Sequence, residues 1–308
     1  MPRVSVVIPT KDAGPEFARV LEAVVTQRLL PPPELVVIDS SSTDGTPDVA
    51  RRFGVTLVSI DPRTFNHGAT RNQAAKLAGG ELIAFLTQDA RPQDEHWLAH
   101  LIEPFADARV AGSYSRVVPR PDASPLVERS VKADLVYSPT PFVKRFDRDA
   151  WQALTPFERR VHGHFNNVSS CVRRAVFAQI PFPRIDFGED LAWGVRMLEA
   201  GHALAYQPSS VVVHSHATRL LEDYRRHRAD AVLMRRLFGF KNRPSVRSAL
   251  MAFLGEVRKD LRYVVREKGL GSLPYAAASP VVRAFQIAGQ CAGSRGERPP
   301  PPQWMNSL

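Results

Sequence analysis

The chain has 308 residues, 44% of them apolar, enough to bury the core of one large α/β domain with an appendage. Two distant cysteines, Cys171 and Cys291, argue against a disulfide framework or a thiolate metal site, and point to a reducing cytoplasm. The net charge of +10 is confined to the C-terminal part: residues 219–308 carry 17 Lys+Arg and 7 Asp+Glu, whereas the first 218 carry 24 of each.

Val4–Ile8 is a β-branched run ended by Pro9-Thr10 and predicts a buried first strand. No apolar leader is expected ahead of it. Phe17, Val20, Leu21, Val24 and Val25 recur at helical spacing and predict an amphipathic helix to about Arg28. Glu34–Ile38 is a second strand ending at Asp39, and Ser40–Thr46 is rich in turn and cap residues. A short helix through Val49 and Arg52 and a third strand over Val55–Ile60 follow. A helix opened by Asn66-His67-Gly68-Ala69-Thr70-Arg71-Asn72 then leads into the strand Glu81–Leu86. Alternation with short connections predicts a mainly parallel sheet, whose strand ends bring Asp12, Asp39, the His67–Asn72 segment and Asp89 to one edge.

Beyond Leu101 the pattern loosens. Val110–Arg116 reads as a strand, and Arg120–Arg160, rich in Pro and charge, as loop and irregular helix over a site. A second ordered block runs Asn166–Val172, a helix at Ala175–Gln179, then Gly188-Glu189-Asp190 opening an amphipathic helix that Gly201 stops. A last strand, Ser210–Val213, delivers His214-Ser215-His216. Basic helices broken near Pro244 and Gly269–Pro274 follow, and the Pro-rich end from Arg295 is expected to be disordered. The Leu273–Ala292 stretch carries Arg283 and Pro280, which argues against a membrane span.

Several positions carry candidate chemistry. Asp89 ends a buried strand where a carboxylate can hold a metal and, through it, a phosphate. His67 and Arg71 share a helix face whose N-terminal amides suit a phosphate. Of Glu189 and Asp190, one is expected to act as a general base and the other to be structural. His214 and His216, two apart after a strand, can share a ligand or metal. The Ser40–Thr46 loop lacks the glycine pattern of a dinucleotide or ATP-type phosphate site.

Val4–Thr10, Val37–Thr46, Arg71-Asn72, Asp89 and Gly188-Glu189-Asp190 together resemble the inverting family 2 glycosyltransferases of GT-A fold. Phe65–Asn72 and Leu86–Ala90 look like the branch that includes bacterial rhamnosyltransferases of polysaccharide assembly. The resemblance implies an α/β GT-A catalytic domain over 1–218, with a nucleotide-sugar half (1–115) and an acceptor half (116–218). A basic helical region (219–294) and a tail (295–308) would follow. It implies that Pro9, Thr10 and Asp39 hold the base and ribose and Arg71 the diphosphate, with Asp12, His67 and Gln88 completing the donor set. Asp190 matches the catalytic base, and Asn167, Glu189 and Trp193 fall on the acceptor or sugar side. Asp89 matches the last acid of the family's D-x-D metal motif, with His214 as a further metal contact for Mg²⁺ or Mn²⁺. The first acid of that motif is Thr87 here, which lowers the expected metal affinity.

The implied partners are a nucleoside-diphosphate sugar of dTDP, UDP or GDP type and a glycan or lipid-linked acceptor. An anionic membrane at the inner face of the plasma membrane is expected to meet Leu233, Leu237, Phe238 and Phe240 with Arg235, Arg236, Lys241 and Arg243. No nucleic-acid motif is present, so no nucleic-acid partner is expected. The competing readings are a sugar-nucleotide nucleotidyltransferase, which lacks its glycine-rich lysine loop here, and a non-catalytic binding module.

Overall fold

The computed structural model describes residues 2–296 together with 299 and 300. In chain order the elements are β1 (Val4–Thr10), α1 (Glu16–Val25), β2 (Glu34–Asp39), α2 (Thr46–Arg52), β3 (Thr56–Ser59), α3 (His67–Ala75), β4 (Leu82–Leu86) and β5 (Arg91–Pro92). Then come α4 (Trp97–Ile102), β6 (Val110–Val118), α5 (Pro125–Lys132), β7 (Phe142–Lys144), α6 (Arg148–Ala153), α7 (Pro156–His162), β8 (Ser169–Arg173) and α8 (Arg174–Gln179). The chain continues through α9 (Glu189–Glu199), β9 (Ala203–Val213), α10 (Leu220–Phe238), α11 (Val246–Tyr263) and α12 (Leu273–Ser294).

The chain divides into two compact units. The first, residues 1–118, 135–154 and 161–214, contains one nine-stranded sheet among the described residues, ordered β3-β2-β1-β4-β8-β6-β9-β5 with β7 on β9. β1 and β4 are covered on both faces, which is why their sequences run apolar without alternation. β3, β2, β1 and β4 are mutually parallel, as the alternating pattern predicts. β8 runs antiparallel to β4 and β6, while β6 and β9 are parallel. The reversal of β8 matters. The C-terminal ends of β1, β2, β4, β6 and β9 and the N-terminal end of β8 all open onto one edge of the sheet.

Two sequence expectations change. β9 has 11 residues rather than four, because Pro208 and the polar residues around it mask its first half. Its register against β6 shifts between Ser115–Gln207 and Arg116–Val211, and Ser210 inside that irregularity bonds Ser115 and the Trp97 carbonyl. The 120–160 stretch, expected as loop and irregular helix, holds the strand β7 beside the helices α5, α6 and α7. Its helix starts are marked by Ser124 and Asp147, which accept from Val127 N–H (3.4 Å) and Ala150 N–H (2.8 Å).

The second unit, residues 119–134, 155–160 and from 215 onward, groups α5 with α10–α12, so a segment read from sequence as acceptor half belongs here. Leu126, Val264, Ala276 and Val282 form an apolar cluster. Beside it Asp260, fully buried, receives Arg129, Arg283 and Ser279. Leu233, Leu237, Phe238 and Arg235 of α10 are buried too, and Arg235 donates to the Gly293 carbonyl of α12 at 2.9 Å. The interfacial surface expected from those residues is therefore helix packing. Among the described residues no helix is long and apolar enough to cross a membrane. Most of the expected disordered tail lies outside the described residues.

Candidate functional site

At the sheet edge, β1 and β2 end in register, with Thr10 beside Asp39. The Thr10 hydroxyl donates to Asp39 at 2.9 Å, and Ser42 donates to the same carboxylate from its hydroxyl (2.5 Å) and its N–H (2.8 Å). Asp39 is buried under these bonds, and they shape the loop that follows. Asp12 and Ser41 adopt left-handed backbone, at φ 42° and 56°, a conformation non-glycine residues hold only under local constraint. The constraint is visible. Asp12 accepts Thr43 N–H at 2.8 Å, and that bond, with the neighbouring Lys11 ammonium, holds its carboxyl below the usual range. Gln88 ties the third strand end in, accepting Lys11 N–H (2.7 Å) and donating to its carbonyl (3.1 Å). Pro9 sits half-buried between them. Lys11, whose ammonium also reaches the Ser41 carbonyl at 2.9 Å, was not singled out from sequence, because a lone loop lysine carries no pattern.

Asp89 follows β4, and His214 follows β9, where its N–H continues the ladder to the Val118 carbonyl at 2.9 Å. The two side chains meet at 3.3 Å, Nε2 to carboxylate. His214 is buried and Asp89 partly open. One hard oxygen and one imidazole nitrogen on rigid strand ends fit a divalent cation such as Mn²⁺, which accepts both donor types. Thr87, in the first acid position of the motif, has its hydroxyl buried without a hydrogen-bond partner.

The third group is built on α3 and α9. Gly188 precedes α9 at φ 73°, a conformation suited to glycine, and turns the chain so that Glu189 and Asp190 begin the helix. A Cβ on Gly68 would fall 2.5 Å from the Pro183 carbonyl and 3.4 Å from Glu189 Cβ, so only glycine lets α3 lie this close. Arg71 and Glu189 then form a buried ion pair at 3.0 Å. Asn167, leading into β8, donates its side-chain amide to Glu189 (3.2 Å) and its N–H to Asp190 (3.1 Å). The other Asp190 oxygen accepts Leu191 N–H at 2.8 Å. Asp190 lies deep in the fold yet keeps part of its surface open. Burial first, and the Glu189 charge second, push its carboxyl up to about 6, against the two N–H bonds and Arg71. It is a carboxylate at neutral pH that readily takes a proton.

Among the residues expected to touch substrate, several are turned inward. Trp193 is fully buried among Phe165, Phe177 and Phe182 and donates to the Ile180 carbonyl at 2.7 Å, so it is core and not an acceptor contact. Glu189 is bonded to Arg71 and Asn167, Asn167 donates to Asp190 as well, and all of Arg71, Asn167 and Glu189 are buried. His67 is exposed at the start of α3, edge-on to Phe65 at 4.9 Å.

Residues 5–173 match Glycosyl transferase family 2. The chain belongs to that family. Among curated glycosyltransferases it is 34% identical to the O-antigen chain rhamnosyltransferase RfbN of Salmonella typhimurium, over 73% of this chain and 70% of that protein. It is 31% identical to the O-antigen chain rhamnosyltransferase WbaN of Salmonella anatum, over 74% and 70%. In three dimensions it is similar to the mannosyltransferase PcManGT from Pyrobaculum calidifontis, solved in complex with GDP-Man and Mn²⁺. That likeness has a TM-score of 0.60, 20% identity, and covers 95% of this chain and 87% of that one. The glycosyltransferase thus has the GT-A fold its sequence resembles. Membership leaves the nucleotidyltransferase and non-catalytic readings without support.

Proposed function

We propose that this glycosyltransferase moves a sugar, rhamnose in the first instance, from a nucleoside-diphosphate donor to a hydroxyl of a glycan or lipid-linked acceptor. The setting is cell-surface polysaccharide assembly, at the cytoplasmic face of the membrane. The two O-antigen chain rhamnosyltransferase relatives support the sugar and the polysaccharide. The chemistry rests on one observation. A carboxylate with raised proton affinity, Asp190, is held by two N–H groups on the sheet edge that carries Asp89 and His214.

Asp190 accepts the proton of the acceptor hydroxyl as that oxygen bonds to the anomeric carbon. The bond from that carbon to the diphosphate breaks on the opposite face, and the leaving oxygen keeps the electron pair, so the configuration inverts. Asp89 and His214 would hold Mn²⁺ or Mg²⁺, whose charge offsets that growing on the diphosphate. Thr10, Asp12, Asp39 and Gln88 shape the cradle for the nucleoside, with His67 at the mouth of α3. Arg71, Glu189 and Asn167 act at one remove, by fixing Asp190.

The test is incubation with dTDP-, UDP- and GDP-sugars, following nucleoside diphosphate release and the anomeric configuration of the product. Release with one donor, lost in EDTA and restored by Mn²⁺, is expected. Retained configuration would remove Asp190 as the base of a single displacement, and full activity in EDTA would remove the metal.

A further inference from the structure

Helix α11 is amphipathic in the reverse of the usual sense. Among its described residues only Asp260 is fully buried, at the centre of the Arg129–Arg283 cluster. Its other acid, Glu256, is also turned inward, onto Arg129 and Lys259. The outward side shows Val246 (87% exposed), Leu250 (55%), Met251 (65%), Leu254 (53%) and Leu261 (42%). At about 100° per residue these five fall in one sector of roughly 140°. Single exposed apolar residues are ordinary on a surface, but a stripe of five on one helix is not. The stripe is also held rigid. Ser245 and Ser248 close a reciprocal capping box at the start of α11, and the buried ions pin its second half.

The charges around the stripe indicate what covers it. Arg247 and Arg258 lie within the sector, Arg262 lies beside its edge, and all three are exposed. Because Glu256 and Asp260 face inward and are already paired, the outward face of α11 itself is apolar and positive. A second copy docking there would bring like charges together. A layer of lipid phosphates would accept the arginines while the leucines enter the boundary between headgroups and acyl chains.

We propose that the outward face of α11 docks on an anionic lipid surface, lying in its plane rather than crossing it. This deepens the reading of a lipid-linked acceptor and rests on that reading only for its purpose.

The test is flotation of the full chain with phosphatidylcholine vesicles, alone or mixed with phosphatidylglycerol, alongside its oligomeric state and its release of nucleoside diphosphate. Binding to the mixed vesicles that weakens with salt is expected. It should fall by at least about tenfold in L250S/M251S/L254S and separately in R258E/R262E. Donor turnover should stay unchanged in both variants, which shows them folded. Absence of wild-type flotation, or equal flotation of the variants, overturns the proposal. So does a wild-type dimer that the triple variant converts to monomer with no vesicle binding. Lipid binding without donor turnover would leave the docking face standing and remove the transferase reading instead.

Discussion

Each unit buries a carboxylate against arginine, and the two arrangements do opposite things. In the helical unit Asp260 receives Arg129 at 2.5 Å, Arg283 at 2.7 Å and the Ser279 hydroxyl, and although burial works against it, these partners hold its carboxyl below the usual range. Its negative charge is fully used. In the sheet unit Glu189 has a single arginine, Arg71, and the next residue is a second carboxylate, Asp190. Burial, with the Glu189 charge beside it, raises the proton affinity of Asp190 more than Arg71 lowers it. The difference between a structural ion cluster and a site poised for proton transfer is thus how far cations offset burial: Asp260 and Glu256 share Arg129, Arg283 and Lys259, whereas beside Glu189 and Asp190 stands Arg71.

The largest effect is expected for Asp190→Asn. Its one amide oxygen keeps one of the two N–H contacts, and the base is removed, so turnover should drop by about a hundredfold to ten-thousandfold. Thermal shift with nucleoside diphosphates should stay near wild type. Loss of donor binding in that variant would move Asp190 from chemistry to donor recognition.

Next in size is Asp260→Asn, which leaves buried Arg283 without its carboxylate and Arg129 with Glu256 alone. Breaking such a cluster costs about 3–5 kcal/mol, to be read from urea unfolding. A change below about 1 kcal/mol would mean the cluster is solvated and the contrast false.

Smaller and more diagnostic is the pH profile. The base works as carboxylate, so the rate should decline as pH falls through about 6. In Glu189→Gln the charge that helps burial raise Asp190 is gone while Arg71 remains, so the acid limb should move to lower pH. An unmoved limb would assign it to another group.

Least in effect is Trp193→Phe. It forfeits the bond to the Ile180 carbonyl, worth about 1 kcal/mol of stability, and should leave the acceptor KM unchanged because the ring is buried. A raised acceptor KM would return Trp193 to the substrate side.

Much of the sheet was legible along the chain. The apolar runs of β1, β2 and β4 end at Thr10, Asp39 and just before Asp89, and local pattern suffices because strand ends are marked by the switch from apolar to polar residues. The Gly188-Glu189-Asp190 start of α9 was legible for a similar reason, since left-handed glycine and acids at a helix start are local events. The first half of β9 was not, because its burial depends on β6 and β7 packing around a polar irregularity. The 120–134 segment looked like part of the acceptor half, yet it groups with helices more than a hundred residues away.

Residue types and spacing by themselves determined which acids stand at strand and helix starts, that the charge excess is C-terminal, and which family the chain resembles. Which acid of the Glu189–Asp190 pair takes the arginine, that Arg71 faces a carboxylate, and that α10 buries its leucines while α11 exposes its own were decided only by tertiary structure. The physical reason is common to all three. Local sequence sets where a side chain leaves the backbone, but burial and charge pairing depend on which distant element arrives opposite it.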